Sequence, residues 1–425
     1  MKQISVILIG AGGRGQVYTN VMAELPEKYK VVAVAEPIAD RRNHIREKFN
    51  VPEEMCFEDY GPLLALGRVA DMALICTMDR LHFDPAMKAI EAGYDLLLEK
   101  PIAPTAEECA RLTEAAKAKG VKVVICTVLR YTPFFRTLKS LLDSGRIGRV
   151  MAVNHEECVG NIHYSHSFVR GNWGNEERSS NMLLQKSCHD LDILQWLIGK
   201  KCKSVQSFGT LSYFTRENAP EGSAEYCVDC ALRDTCPYDA VKMYYDNKDN
   251  YWPRSYITKK VHPTDEEVLA GLKVTQYGKC VFKCDNDVVD HQTVNMVFED
   301  DIIVTFTMNA FNAGGRHIHI MGTKGEIRAR NLNGEPIRVI DNITGETEEI
   351  PLMQLTGKDT FMSGHGGGDI GIVTTVYEYL TGSYDGDAIP EIGESCYNHM
   401  LVFAAEKARM EHGVVDVEQF IGGVN

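Results

Sequence analysis

Residues Ile4–Ile9 form an unbroken apolar run that ends in Gly10-Ala11-Gly12-Gly13-Arg14-Gly15. No other stretch restricts the fold as much. A strand that is apolar throughout is buried on both faces, and such strands belong to parallel sheets with helices on either side. Glycines at the first, third and sixth positions of the turn allow a tight bend and close packing of strand on helix. The segment predicts a strand, a turn and a helix from Gly13 to about Leu25, the opening unit of a doubly wound sheet.

The pattern continues to residue 127. Val31–Ala35, Ala73–Cys76, Asp95–Leu98 and Val121–Cys126 read as short apolar strands. Helical segments Asp40–Phe49, Phe83–Ala92 and Ala106–Ala118 separate them, the last stopped by Gly120. Strands alternating with helices imply parallel strands and right-handed crossovers. Beyond residue 128 the character changes. Phe134–Leu142 reads as a helix and Arg149–Glu156 as a strand. Val288–Phe298 and Ile302–Phe311 alternate around the acidic turn Glu299-Asp300-Asp301, and His317–Met321 and Glu326–Ala329 flank Gly322-Thr323-Lys324-Gly325. Both pairs predict antiparallel hairpins. Ile370–Leu380 and Ser395–Glu411 read as late helices. The expected architecture is α/β: a Rossmann domain over 1–127, then an α+β domain over 128–425. The second domain would hold an open, mostly antiparallel sheet covered on one face by helices, with a Cys-rich insertion around 225–285. A chain of 425 residues is too long for one ordinary core.

Charge and composition narrow the function. The net charge of −14 argues against nucleic acid or an anionic membrane as partner, because phosphate attraction needs a basic face. No apolar run approaches the roughly 20 residues of a membrane span, and residues 1–9 read as a strand rather than a signal peptide. Thirteen cysteines, mostly scattered singly, do not form a secreted disulfide framework. A reducing cytoplasm is the expected compartment.

Strand, glycine turn and helix are in register for a dinucleotide. The pyrophosphate would lie on the helix N-terminus beside Gly10, Gly12, Gly13, Arg14 and Gly15. Glu36 ends the second strand, 21 residues after Gly15, where a carboxylate can bind the adenosine ribose hydroxyls. That acid favours NAD. Arg41 and Arg42 just beyond it could hold a 2′-phosphate, so NADP stays open.

Glu99-Lys100-Pro101 closes the strand Asp95–Leu98, at the end that faces the ligand crevice of such a sheet. Here the chain resembles the Gfo/Idh/MocA family, named for glucose–fructose oxidoreductase, inositol dehydrogenase and a rhizopine-catabolism protein. The resemblance rests on GAGGRG at 10–15, Thr77 with His82, AGYDLLLEKPIA at 92–103, HDLD at 189–192 and GTKGEI at 322–327, and covers the whole chain. It implies a Rossmann domain followed by an open-sheet domain, and hydride transfer between NAD(P) and a sugar, cyclitol or related polyol. Lys100 would bond the reacting oxygen and His189 would be the general base. An imidazole suits that role because its ordinary pKa of ~6.5 lies near working pH. Thr77, His82 and Glu99 would line the cofactor. A dimer or tetramer is implied as well. Relatives also include glycosidases that cycle NAD without net redox, and non-catalytic sensors. Both stand as alternatives.

Many relatives carry an aspartate one helical turn before the histidine, where this chain has Gln185, followed by Lys186. Glutamine can bond but not ionise. Gln185 and Lys186 are expected substrate neighbours, and at least one of Asp190 and Asp192 is expected to be structural. Arg130, Tyr131 and Trp173 are candidate sugar contacts, because aromatic faces pack on sugar rings and loops carry binding groups. His365, in Gly364-His365-Gly366-Gly367-Gly368-Asp369, is another. His163 and His166 read as polar loop residues rather than a metal pair. Cys227-x-x-Cys230-x5-Cys236, with Cys280 or Cys284 as a fourth ligand, fits structural zinc. Free thiols, or a disulfide between Cys227 and Cys230, are the plainer alternatives.

Overall fold

The computed structural model describes residues 2–248, 253–331, 334–352 and 364–424. Strands β1 (Ile4–Ile9), β2 (Tyr29–Ala35), β3 (Cys56–Phe57), β4 (Met72–Ile75), β5 (Asp95–Leu98) and β6 (Val123–Ile125) make a six-stranded sheet. Its order is β3-β2-β1-β4-β5-β6 and every pairing is parallel. The chain builds outward from β1 on one side through β2 and on the other through β4. That reversal opens a crevice at the carboxyl ends, beside the glycine turn.

β1 shows why the run had to be apolar throughout. Val6 and Leu8 enter one hydrophobic core, while Ile7 and Ile9 enter another on the opposite face. The first core continues into the second domain, through Val153, Leu191 and Phe306. The helix Ala106–Lys119 is capped by Thr105 and stopped by Gly120 in the left-handed region, as its sequence indicates.

The second sheet contains β7 (Val150–Cys158), β8 (Cys202–Thr210), β9 (His291–Phe298), β10 (Ile303–Asn309), β11 (Gly315–Gly322), β12 (Gly325–Arg330), β13 (Ile337–Asp341), β14 (Thr347–Ile350) and β15 (Val414–Asp416). Their order is β14-β13-β12-β11-β7-β10-β9-β8-β15. All neighbours are antiparallel except β7 and β10, which run parallel. Both expected hairpins are present, β9–β10 and β11–β12. Period-two patterning buries Gln292, Val294, Met296 and Phe298 along β9 and Val304, Phe306 and Met308 along β10.

Helices Cys188–Ile198 and Ile392–Glu411 pack against each other, and the second of them lies on β8. Helix Ile392–Glu411 also packs on Ala106–Lys119 of the first domain, where His399 Nε2 accepts the Ile102 N–H at 3.1 Å. Arg130, just past the last strand of the first sheet, anchors the start of the second domain. Its Nε and Nη2 donate to Asp192 at 2.7 and 2.9 Å, and Nη2 also reaches Glu394 at 2.8 Å. Asn398 donates to the same aspartate at 2.6 Å. Asp192 thus fills the structural role expected of one HDLD acid.

Removing that acid leaves a fully buried guanidinium without its bidentate partner. Asp192→Ala is expected to cost about 3–5 kcal/mol. The check is a lowered urea midpoint at unchanged slope.

Candidate active site

The carboxyl ends of the parallel strands bring Gly10, Glu36, Thr77, Glu99 and Lys100 to one edge. The ladder runs past each strand end, through Gly10 N to Ala35 O, Cys76 N to Ile9 O and Glu99 N to Ile75 O. Two glycines of the turn are sterically required. Gly10 has φ +91°, and a Cβ there would fall 2.6 Å from Cys76 O; one on Gly15 would fall 2.2 Å from Gly10 O. A Cβ on Gly12 would meet only Arg41 Nη1, at 3.9 Å. This open side is the cradle a pyrophosphate needs. Glu36 turns back on the loop: its carboxylate accepts from Ala11 N at 2.7 Å and Ile38 N at 3.0 Å. Arg42 is tied to Glu36 O and Glu58.

Arg14 is more than a loop residue. It donates to Glu99 at 2.8 Å, to Asp369 at 2.7 Å and to the Tyr18 hydroxyl at 2.5 Å, and His365 Nδ1 stands 3.4 Å from it. Asp369 also meets His365 at 3.0 Å. Burial alone would raise the carboxyl pKa of Glu99, but Arg14 first and then Lys100 hold it below its ordinary value. The second oxygen of Glu99 accepts the Lys100 N–H at 3.0 Å. His82 is buried, with ring nitrogens at 2.6 Å from Pro101 O and 3.0 Å from Thr77 O, and Thr77 Oγ1 donates to Leu81 O. His82 pins two strand ends together.

Lys100 crosses the cleft. Its Nζ donates to the backbone carbonyl of Gln185 at 2.6 Å and to its Oε1 at 2.7 Å. The Gln185 amide donates in turn to Asp79 at 2.9 Å. Asp79 is buried and also accepts from Ser179 at 2.9 Å, Ser180 at 3.3 Å and the Trp173 indole at 3.4 Å. A glutamine therefore relays between a cation and a carboxylate that do not touch. Trp173 turns its N–H to this aspartate and packs near Phe168.

His189, at the start of helix Cys188–Ile198, is nearly buried, and among the described residues its Nδ1 has no hydrogen-bond partner. Burial, then Lys100, Arg316, His365 and Lys186, hold its pKa well below the ordinary value. Of these groups, only Arg316 comes from the second sheet. Arg316 of β11 sits directly opposite Glu157 of β7, a cross-strand pair of opposite charge. Arg316 also bonds Asp190 at 2.7 Å, His155 bonds Asp190 at 2.8 Å, and Lys186 reaches Glu157 at 3.2 Å. Arg316 and His155 hold Asp190 far below the usual carboxylate range, against its burial.

Several expectations shift. Arg130 and Tyr131, read as sugar contacts, lie in the interior, Arg130 in its ion pairs and Tyr131 against Gly371. Gln185 and Lys186 are already engaged with Lys100 and Glu157. Asp79, Glu157 and Arg316 were not anticipated as site residues. Glu157 and Arg316 carried a signal, because charges stood at inward positions of alternating strands. His163 belongs here too, since Lys186, His365 and Arg316 all add to the burial that depresses it. His166 bonds the Tyr244 hydroxyl at 3.0 Å instead.

A dinucleotide-type sheet whose carboxyl edge faces the charged end of an open second sheet defines a two-domain nicotinamide-dependent oxidoreductase. The chain belongs to the Gfo/Idh/MocA oxidoreductase family. Residues 4–127 match its NAD-binding Rossmann fold and residues 139–416 its C-terminal alpha/beta domain. The chain is 27% identical over 317 residues to the Bacillus subtilis protein named "Putative oxidoreductase YteT", covering 70% of each. It is also 27% identical over 213 residues to inositol 2-dehydrogenase of Salmonella typhimurium, spanning 50% of this chain and 58% of that enzyme. The structure of levoglucosan dehydrogenase with NADH and L-sorbose matches with a TM-score of 0.70 at 16% identity, over 98% of this chain and 99% of that one. At that identity the likeness is one of fold.

Buried neutral histidines make the fold acid-sensitive. His166 is pushed down to about 3 and His399 to about 4, chiefly by burial, and His163 and His189 are also depressed. Below an unfolded value of ~6.5 the unfolded chain binds protons that the folded chain refuses, so stability falls with pH. Urea midpoints are expected to drop steadily from pH 7 to pH 4.5.

Proposed function

We propose that this chain moves hydride between NAD and a secondary alcohol of a sugar, glycoside or cyclitol. The observation that carries this reading is the meeting of Lys100, from the carboxyl edge of the cofactor sheet, with the segment Gln185–His189 of the second domain. Lys100 is the first of the charges that depress His189, so the two groups share one electrostatic site beside the dinucleotide crevice.

The fit to a nicotinamide cofactor rests on the open side of Gly12 and the carboxylate of Glu36. Bound NAD supplies the hydride acceptor. Lys100 Nζ, with three donors, donates to the substrate oxygen and orients it. His189, kept neutral by burial and surrounding cations, accepts the hydroxyl proton. His365, at the mouth, contacts further substrate hydroxyls. A redox-neutral glycosidase cycle would use the same two groups, and net NADH formation separates the readings. We assign a second copy of the chain to the outer face of the large sheet, at the concavity of about 440 Å³ between Glu156, His317 and Arg330. None of the thirteen cysteines is paired, which suits a reducing cytoplasm.

Lys100→Met and His189→Ala are each expected to lower kcat at least ~10²-fold while NAD still binds, the scale of one positioned acid–base group. Near-wild-type turnover in either variant removes that residue's role. Because His189 is depressed, kcat/KM is expected to stay level from pH 8 to about 6.5 and to decline only on the acid side. Asp79→Asn removes the negative end of the relay while keeping its shape. We expect about a tenfold loss in kcat/KM with unchanged NAD affinity, the size of one hydrogen bond to a charge, ~1.5 kcal/mol. Steady-state kinetics and NAD titration check both outcomes.

A further inference from the structure

The cysteines of the insertion meet in space. Cys227, Cys230, Cys236 and Cys280 line one cavity of about 200 Å³, together with Arg170. Two segments more than 40 residues apart deliver them. An isolated antiparallel bridge pairs Tyr226 with Lys279, so that Cys227 and Cys280 flank it diagonally, one on each strand. Cys280 N donates to Glu225 O at 2.9 Å across the same junction. Cys227–Asp229 forms a single 3₁₀ turn closed by Cys230 N to Cys227 O at 3.2 Å, which brings the Cys-x-x-Cys pair round to one side. Cys227 is buried and the other three are part-exposed.

Arg170 supplies an independent pointer. It is 1% exposed, and among the described residues no carboxylate lies within ion-pair distance of it. Its Nε donates to Lys279 O at 2.8 Å and its Nη2 to Tyr238 O at 2.6 Å, with Cys227 Sγ 3.5 Å away. Among the described residues its Nη1 makes no hydrogen bond, and the Tyr244 hydroxyl lies beside the guanidinium. The acid in the cavity wall, Asp239, is committed to Arg233 and to the N–H groups of Val241 and Lys242. A buried cation without a counter-charge is costly. Thiolates would supply that charge, and thiols become thiolates when they bind a metal.

We propose that Cys227, Cys230, Cys236 and Cys280 hold one zinc ion as thiolates, with Arg170 as the counter-charge. Four soft thiolates in a closed set are the donors of structural zinc, and the site leaves no open position for chemistry. A zinc tetrathiolate is net negative, which matches the unpaired guanidinium beside it. No three of these sulfurs lie within 4.8 Å of one another, whereas zinc–sulfur bonds of ~2.3 Å bring them to about 3.8 Å. Binding therefore draws the two segments together. The described set that does fall within 4.8 Å, Glu156, Cys158 and His317, lies on the exposed sheet face and offers only one thiolate.

The insertion has reason to need an ion. Among the described residues its own core is eight buried side chains, including Cys227, Tyr244, Ile257 and Val268. So small a core gains from a metal staple. The stapled unit also reaches the cofactor loop. A Cβ on Gly13 would fall 2.5 Å from the Tyr256 hydroxyl, and Val261 N donates to Asp40 at 2.8 Å.

The test is elemental analysis of the full-length protein purified without metal-affinity resin or added metal. About one zinc per chain is expected, lost from Cys227→Ser and Cys280→Ser and kept in Cys158→Ser. Should the serine variants not fold, a mercurial titration of the folded wild type is expected to release that zinc to a colorimetric chelator. Cobalt exchanged into it is expected to show the intense bands of a tetrahedral thiolate. Less than a tenth of an equivalent of zinc overturns the proposal. So does zinc lost with Cys158 but kept without Cys227, or stoichiometric iron with a visible charge-transfer band.

Discussion

The ion pair between Arg14 and Glu99 is the contact on which the remaining structure depends. A buried carboxylate stays charged only where a cation and directed hydrogen bonds replace its water. Arg14 and Tyr18 do this for one oxygen of Glu99, and the Lys100 N–H does it for the other. Because Arg14 also grips Asp369, this one charge cluster joins the glycine turn, the end of β5 and the start of helix Gly368–Thr381. Their sequence separations are 85 and 355 residues. The cofactor cradle and the substrate side of the cleft are thereby set relative to each other.

On the far side, the second sheet contributes chemistry through the same alternation that builds its core. Residues 153, 155 and 157 of β7 all point inward, but only the first is apolar. His155 and Glu157 carry the inner face from packing to electrostatics as the strand approaches the cleft. Arg316 opposite Glu157 balances the charge, and Asp190 binds both Arg316 and His155. His189 is therefore held by a neighbour in sequence whose own position is set from the sheet. An aspartate beside the histidine is a strut rather than a proton acceptor.

The parallel sheet was legible because each of its strands is a short apolar run and each ends in a chemically distinctive residue. The cofactor turn was legible for the same reason. Gly10 and Gly15 stand where any side chain would strike backbone. What could not be read were long-range pairings. Nothing local tells β7 to lie parallel to β10, or brings Arg316 to Asp190 across 126 residues. Arg130 and Tyr131 looked like cleft residues because they follow the last parallel strand, yet the fold turns them inward to meet helix Cys188–Ile198 and helix Gly368–Thr381. Asp79 looked like a loop acid. Only the folded chain shows it as the charge behind Gln185.

The bond from Lys100 to Gln185 crosses between the two domains, and so does the His399–Ile102 contact. Swinging the domains apart like jaws would break both at once and strip the lysine of its acceptors. The rim around His365 and the adjoining glycines, whose backbones occupy the left-handed region, lies outside those bonds. A ligand entering by parting the two halves would first have to uncouple the lysine from both of its acceptors, so separation of the domains is the costlier way into the cleft.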